Sequence, residues 1–334
     1  MLSIVLVIVA FVIILIGAEL FTNAIEWLGA HLHLGTGAVG SVLAAVGTAL
    51  PESVIPIIAF ISGGTASHEI GTGAVLGAPF MLSTLTMVVT GVAALAYLHR
   101  RETPWIHIQY EIVSRDLLFF FMVYIGAIAS SFLNVPALRY TVAGALILLY
   151  GVYVWLTVKR SSASAENEDL AALRFAPKQQ KPDPLRIIAQ LVIALAAIVG
   201  GSNLLVNEIE NVAAAIGISA FVISVIIIPI ATELPEKFNS VLWIGQKKDT
   251  LAIGNITGAM VYQSSLLPAI GIFLSPWRLD ASALASAVCA LASSAFIAIM
   301  LILTKRMHAA ALAGIGAIFY AGYLIYLFGF SLAG

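Results

Sequence analysis

The sequence predicts an all-α, polytopic membrane protein with ten transmembrane helices arranged as two inverted five-helix repeats. Three observations carry that prediction: apolar runs recur from end to end, basic residues sort into alternate loops, and an early block of sequence returns at an offset of 184 residues. Of the 334 residues, 61% are hydrophobic and 10% charged, and the mean hydropathy is +1.04. Soluble domains carry about 25% charged residues, so a surface this poor in charge belongs against lipid. A net charge of −1 offers nucleic acid no electrostatic footing. The single cysteine, Cys289, cannot form an internal disulfide and leaves the redox compartment unread. Oligomeric state leaves no mark in the sequence.

A helix needs about 20 residues to cross about 30 Å of hydrocarbon. Ten segments of that kind fit, near 2–29, 36–62, 70–97, 115–132, 136–158, 185–211, 217–244, 250–274, 281–303 and 309–331. The first lacks a basic start and a convincing cleavage site, so it reads as a retained span rather than a signal peptide. The polar stretch 159–184, with its serines, acids and three prolines, reads as a linker between a first repeat at 1–158 and a second at 185–334. Loops after odd-numbered spans hold thirteen lysines and arginines, whereas loops after even-numbered spans hold only Arg139 and Arg278. Positive charge stays on the cytoplasmic side, which places the linker in the cytoplasm and both termini outside. Trp105, Trp155, Trp243 and Trp277 fall near span ends, where interfacial anchors belong.

The repeat aligns Gly17–Glu52 with Gly201–Glu236 without gaps, with ten identities in 36 positions. Its specific part is a shared Thr-x-Leu-Pro-Glu. A second block, Gly73 to Ala78, matches Gly254 to Ala259. Five spans per half make the second half enter from the opposite side, and inverted repeats with broken helices place a transport site at the membrane midplane.

The repeated motif carries the chemistry. Pro51 and Pro235 fall inside spans, where proline removes a backbone donor and frees the carbonyl four residues back. Those carbonyls belong to Gly47 and Ala231. Glu52 and Glu236 follow the prolines, and a charge at the bilayer centre costs at least about 2.5–3.5 kcal/mol. Thr48 and Thr232 lie one turn earlier on the same face. Carboxylate, hydroxyl and carbonyl oxygens are ligands for hard cations such as Ca²⁺, and for Na⁺ by the same logic. Two carboxylates match one divalent metal ion. The competing view makes Glu52 and Glu236 structural, hydrogen-bonded across a helix interface. The paired glycine blocks read first as close helix packing, with backbone lining of the cation path as the alternative.

Gly47-Thr48-Ala49-Leu50-Pro51-Glu52 and Ala231-Thr232-Glu233-Leu234-Pro235-Glu236 resemble the G-T-S-L-P-E signature of the sodium/calcium exchanger family, within the cation/Ca²⁺ antiporters. Gly254-Asn255-Ile256-Thr257-Gly258-Ala259 resembles that family's G-N-x-x-G-S. The resemblance spans nearly the whole chain and implies secondary active antiport of Ca²⁺ or a related cation against Na⁺ or H⁺, by alternating access and without an enzymatic cofactor. Its partners would be inorganic cations and the lipid bilayer. Departures are concentrated in the ligands. Ala49 and Glu233 stand where each signature has serine, Ala78 and Ala259 replace further serines, and Leu82 and Gln263 replace acidic or amide ligands. Gln263 keeps a carbonyl oxygen, and the second half gains Glu233 as a further candidate cation ligand. A site with fewer ligands holds fewer ions, so substrate and stoichiometry are expected to differ. A transport-inactive or sensing relative with a reduced cation site is the alternative function.

Lys237 modulates the charge. Glu233 and Lys237 are spaced to pair along one helix, which leaves Glu52 and Glu236 for a divalent cation. Lys237 as a tethered cation, or as a side chain reaching for an interface, are the alternatives. A carboxylate releasing its cation in a dry pocket can take up a proton instead, so H⁺ stands beside Na⁺ as counter-ion. Asn23, Glu26, Asn207 and Glu210 read as interfacial groups, Glu19 and Asn203 as deeper ones, His31 and His33 as members of a cytoplasmic turn, and Asn239 as a further oxygen donor. No His-Glu-x-x-His, Gly-x-Ser-x-Gly or P-loop pattern occurs, and no enzymatic activity is expected.

Overall fold

A computed structural model describes residues 2–31, 50–161, 171–179 and 181–331. Among these residues the chain is helical almost throughout. The helices are α1 (Leu2–His31), α2 (Leu50–Ser62), α3 (Thr65–Ser83), α4 (Leu85–Ala96), α5 (Leu98–Arg101), α6 (Tyr110–Ser130), α7 (Pro136–Ser161), α8 (Pro184–Ile216), α9 (Ala220–Thr232), α10 (Leu234–Gly245), α11 (Asp249–Leu274), α12 (Ala281–Thr304) and α13 (Ala309–Ser331). Two short strands, β1 (Trp105–Ile106) and β2 (Met307–His308), pair antiparallel. Among the described residues, eight helical segments are long and apolar enough to cross a membrane, with α3 and α4 forming one of them, and α2 and most of α9 are shorter apolar helices.

Local sequence sets the ends. Asp183 caps α8 through the Leu185 amide, with Pro184 in the first turn where its missing N–H costs nothing. Gly217 closes α8 at a φ of 70°, a left-handed conformation that favours glycine. Asp280 caps α12 through the Ala283 amide at 2.7 Å.

Burial separates centre from periphery. The α3–α4 segment is 78% buried across its apolar window and α11 is 67% buried, whereas α7 is 17% buried. The two central helices carry the two glycine blocks, and α2, α9 and α10 pack against them. α1 lies along α8, with Gly17 facing Ile198 and the Ala194 carbonyl, and Gly201 facing Ile14 and the Ala10 carbonyl. These glycine contacts let two long helices approach closely.

The connections gather at two ends. At one end, β1 and β2 pair, the Ala309 amide donates to the Pro104 carbonyl, and Arg101 meets Asp249. At the other, Glu69 accepts from Ser219 and from the Phe221 amide, and Arg139 donates to the Pro276 carbonyl. The first end carries Arg100, Arg101, Lys247, Lys248, Lys305 and Arg306, and the second Arg139 and Arg278.

Three expectations are corrected. Trp277 is 2% exposed and donates its indole N–H to the Ala127 carbonyl, so it is a core residue and not an interfacial anchor. Glu19 is exposed and pairs with Arg174 at 2.5 Å, because residues 171–179 fold back along the second half of α1. Asn203 is exposed and bonds back to the Val199 carbonyl. Asn23 is instead the buried one, joining the Arg174 amide, the Ala171 carbonyl and Gln190.

Candidate cation site

Pro51 is the second residue of the described part of α2. Glu52 follows at 4% exposure. Ser53 hydrogen-bonds the Tyr262 hydroxyl in the middle of α11, and the Tyr262 ring meets Tyr150 edge-on at 5.6 Å. Glu52 precedes Ser53 in sequence, and Gln263 follows Tyr262. Gln263 is 3% exposed, and its Oε1 has no hydrogen-bond partner among the described residues. The hydroxyl of the adjacent Ser264 is likewise buried without one. A buried polar atom left unsatisfied costs about 1–3 kcal/mol, so such an oxygen calls for a ligand.

In the second half the helix is interrupted at one residue. α9 ends at Thr232, α10 begins at Leu234, and Glu233 between them has φ −91° and ψ 10°. The break thus falls just ahead of Pro235, which occupies the first turn of α10. Thr232 is buried and donates to the Ile228 carbonyl at 3.1 Å, leaving its oxygen lone pairs available. Glu233 is fully buried and Lys237 is 8% exposed. Lys237 Nζ lies 3.3 Å from Glu233 Oε2 and 3.3 Å from the Pro229 carbonyl oxygen. The pair expected from the four-residue spacing is present. Gly47, Thr48 and His33 lie outside the described residues, as do the side chains of Ala231, Pro235, Glu236 and Asn239.

The glycine blocks differ. A Cβ on Gly73 would stand 1.9 Å from the Ser224 hydroxyl oxygen, and one on Gly77 would stand 2.5 Å from the Val225 carbonyl oxygen. The first block is a packing surface for α9. Around the second block the nearest atoms to such a Cβ are 3.9 Å from Gly254 and 3.4 Å from Gly258, the latter the Tyr153 hydroxyl.

One buried group went unnoticed in the sequence. Asp116 is 1% exposed, accepts from Thr257 at 2.8 Å and Tyr153 at 3.1 Å, and meets Arg115 at 3.2 Å. It ties α6 and α7 to the second glycine block on α11. The available signal was an acid at the start of the apolar run that begins at Leu117, within the predicted span 115–132, where a charge needs partners.

A protein-family model described as "Sodium/calcium exchanger protein" matches residues 2–159 and 186–332. The putative antiporter CaxA of Alkalimonas amylolytica is 25% identical over 278 residues, covering 83% of this chain and 82% of that protein. Sodium/calcium exchanger MaX1 of Methanosarcina acetivorans is 29% identical over 90 residues, 27% of this chain and 26% of that protein. Two solved structures share the fold. The crystal structure of an H⁺/Ca²⁺ exchanger, CAX, gives a TM-score of 0.75 at 17% identity, over 96% of this chain and 82% of that one. The sodium-calcium exchanger NCX_Mj, soaked with Na⁺ and Sr²⁺, gives 0.57 at 19% identity, over 97% of each chain.

Proposed function

The chain belongs to the sodium/calcium exchanger protein family, and from that premise we propose that it is a cation antiporter, exchanging Ca²⁺ or a related cation for Na⁺ or H⁺ by alternating access. Two inverted repeats, 1–158 and 185–334, enclose the site. The linker 159–184 faces the cytoplasm and both termini face outside. Sorting of basic residues between the two ends of the molecule supports that orientation.

Glu52 and Glu236 supply the charge. Thr48, Thr232 and Gln263 add oxygens, with the Gly47 and Ala231 carbonyls beside the two prolines. The observation that carries the proposal is Glu52, a carboxylate 4% exposed, held beside the central helix α11 where the carbonyl oxygen of Gln263 has no hydrogen-bond partner among the described residues. A cation would neutralise the carboxylate and engage the Gln263 oxygen, at a depth where an ionised carboxylate is otherwise expensive.

The deciding measurement is ⁴⁵Ca²⁺ uptake into proteoliposomes under an imposed Na⁺ or H⁺ gradient. Antiport requires uptake that follows one of the gradients. Equal uptake with and without both would end the proposal.

A further inference from the structure

We infer that Lys237 is a built-in monovalent cation, whose ammonium holds an oxygen cage of the second half in place of a transported ion. The inference rests on the antiporter reading and adds to it. Lys237 leaves α10 pointing back toward the helix break, as helical side chains lean toward the N-terminus. Its Nζ reaches a main-chain carbonyl, that of Pro229, eight residues earlier, and the Glu233 carboxylate, both at 3.3 Å. The Pro229 carbonyl keeps its own helical bond from the Glu233 amide at 3.2 Å, so the ammonium takes its second lone pair.

One backbone carbonyl and one carboxylate, brought together at an interrupted helix, are the oxygen types that an alkali cation uses. An ammonium is a compact point charge, and here it is 8% exposed, which excludes a side chain that reaches out to an interface. The charge stays with the chain through every cycle. The second half therefore takes up one transported monovalent ion fewer than the same oxygens would without the lysine, and the exchange is insensitive to monovalent cations at this position.

Purified full-length protein in detergent tests this with ²²Na⁺ binding and thermal melting in NaCl against choline chloride. Lys237→Met should bind one more Na⁺ per chain than the wild type and melt several degrees higher in NaCl than in choline chloride. Glu233→Gln combined with Lys237→Met should lose both effects. A folded Lys237→Met that binds no additional Na⁺ overturns the inference. Should Lys237→Met aggregate, recovery of a monodisperse protein in NaCl but not in choline chloride supports the cage, and equal failure in both salts overturns it. Flux through Glu52→Gln is scored separately. Flux lost there without a gained Na⁺ site in Lys237→Met overturns the cage alone, whereas flux retained there overturns antiport through Glu52 whatever Lys237→Met binds.

Discussion

Two glycine pairs stand at corresponding places in the two halves and meet different surroundings. Gly73 and Gly77 press against the backbone and Ser224 of α9, whereas Gly254 and Gly258 have no atom closer than 3.4 Å to the Cβ they lack. The second half also adds an acid, Glu233, where the first has Ala49. The first half offers Glu52 beside the Ser53–Tyr262 bond, and the second places Glu233 against its own ammonium. Repetition in sequence thus does not make the halves chemically interchangeable. The first half spends its small residues on close packing, and the second uses Thr257 of its block to hold Asp116.

The strongest way to break this contrast is at the carboxylates. Glu52→Gln and Glu236→Gln should each reduce gradient-driven ⁴⁵Ca²⁺ flux to the level of empty liposomes, with the protein still monodisperse. If only one does so, the halves do not share a site. Next in size is the ion pair that joins the halves. Asp249 takes both guanidinium nitrogens of Arg101, at 2.6 and 2.7 Å, and accepts the His107 amide at 2.7 Å. Removing one partner of a buried pair costs about 3–5 kcal/mol, so Asp249→Asn and Arg101→Met should both lower the melting temperature sharply, with strong coupling in the double variant.

The glycines sharpen the contrast directly. Gly77→Ala forces α3 away from α9 and should cost about 1–3 kcal/mol, the range for overpacking. Gly254→Ala should be neutral or stabilising by up to about 1 kcal/mol, since alanine is the better helix former. Equal melting shifts for the two would erase the distinction. The smallest effect belongs to Ser53→Ala, which removes one hydroxyl bond to Tyr262 and should cost about 1 kcal/mol, read as a small loss of thermal stability.

Local patterns were legible in the sequence and long-range ones were not. Spans predicted at 136–158, 281–303 and 309–331 appear as Pro136–Ser161, Ala281–Thr304 and Ala309–Ser331, because apolar length alone decides them. The Glu233–Lys237 pair was readable because both residues sit one turn apart on the same stretch of chain. Trp277 misled because a tryptophan near a span end looks the same whether it faces headgroups or, as here, the Ala127 carbonyl. Glu19 misled because its partner, Arg174, lies 155 residues away. Asp116, Tyr153 and Thr257 converge from three helices, and no spacing in a linear sequence announces that. The interruption at Glu233 was expected from Pro235, but its position ahead of the proline was not.

The pairing of β1 with β2 reaches beyond its two residues per strand. Trp105 faces His308 at 5.0 Å and lies under the Arg306 guanidinium at 4.6 Å, while Lys305 sits 3.6 Å from the Tyr110 ring centre. Together with the Arg101–Asp249 fork, these contacts rivet loops from both repeats into one seam. Any rocking of one repeat against the other must either tear that seam or carry it along whole. The opposite end is crossed as well, by Glu69 to Ser219 and the Phe221 amide and by Arg139 to the Pro276 carbonyl, so such a motion would have to open or carry ties at both rims.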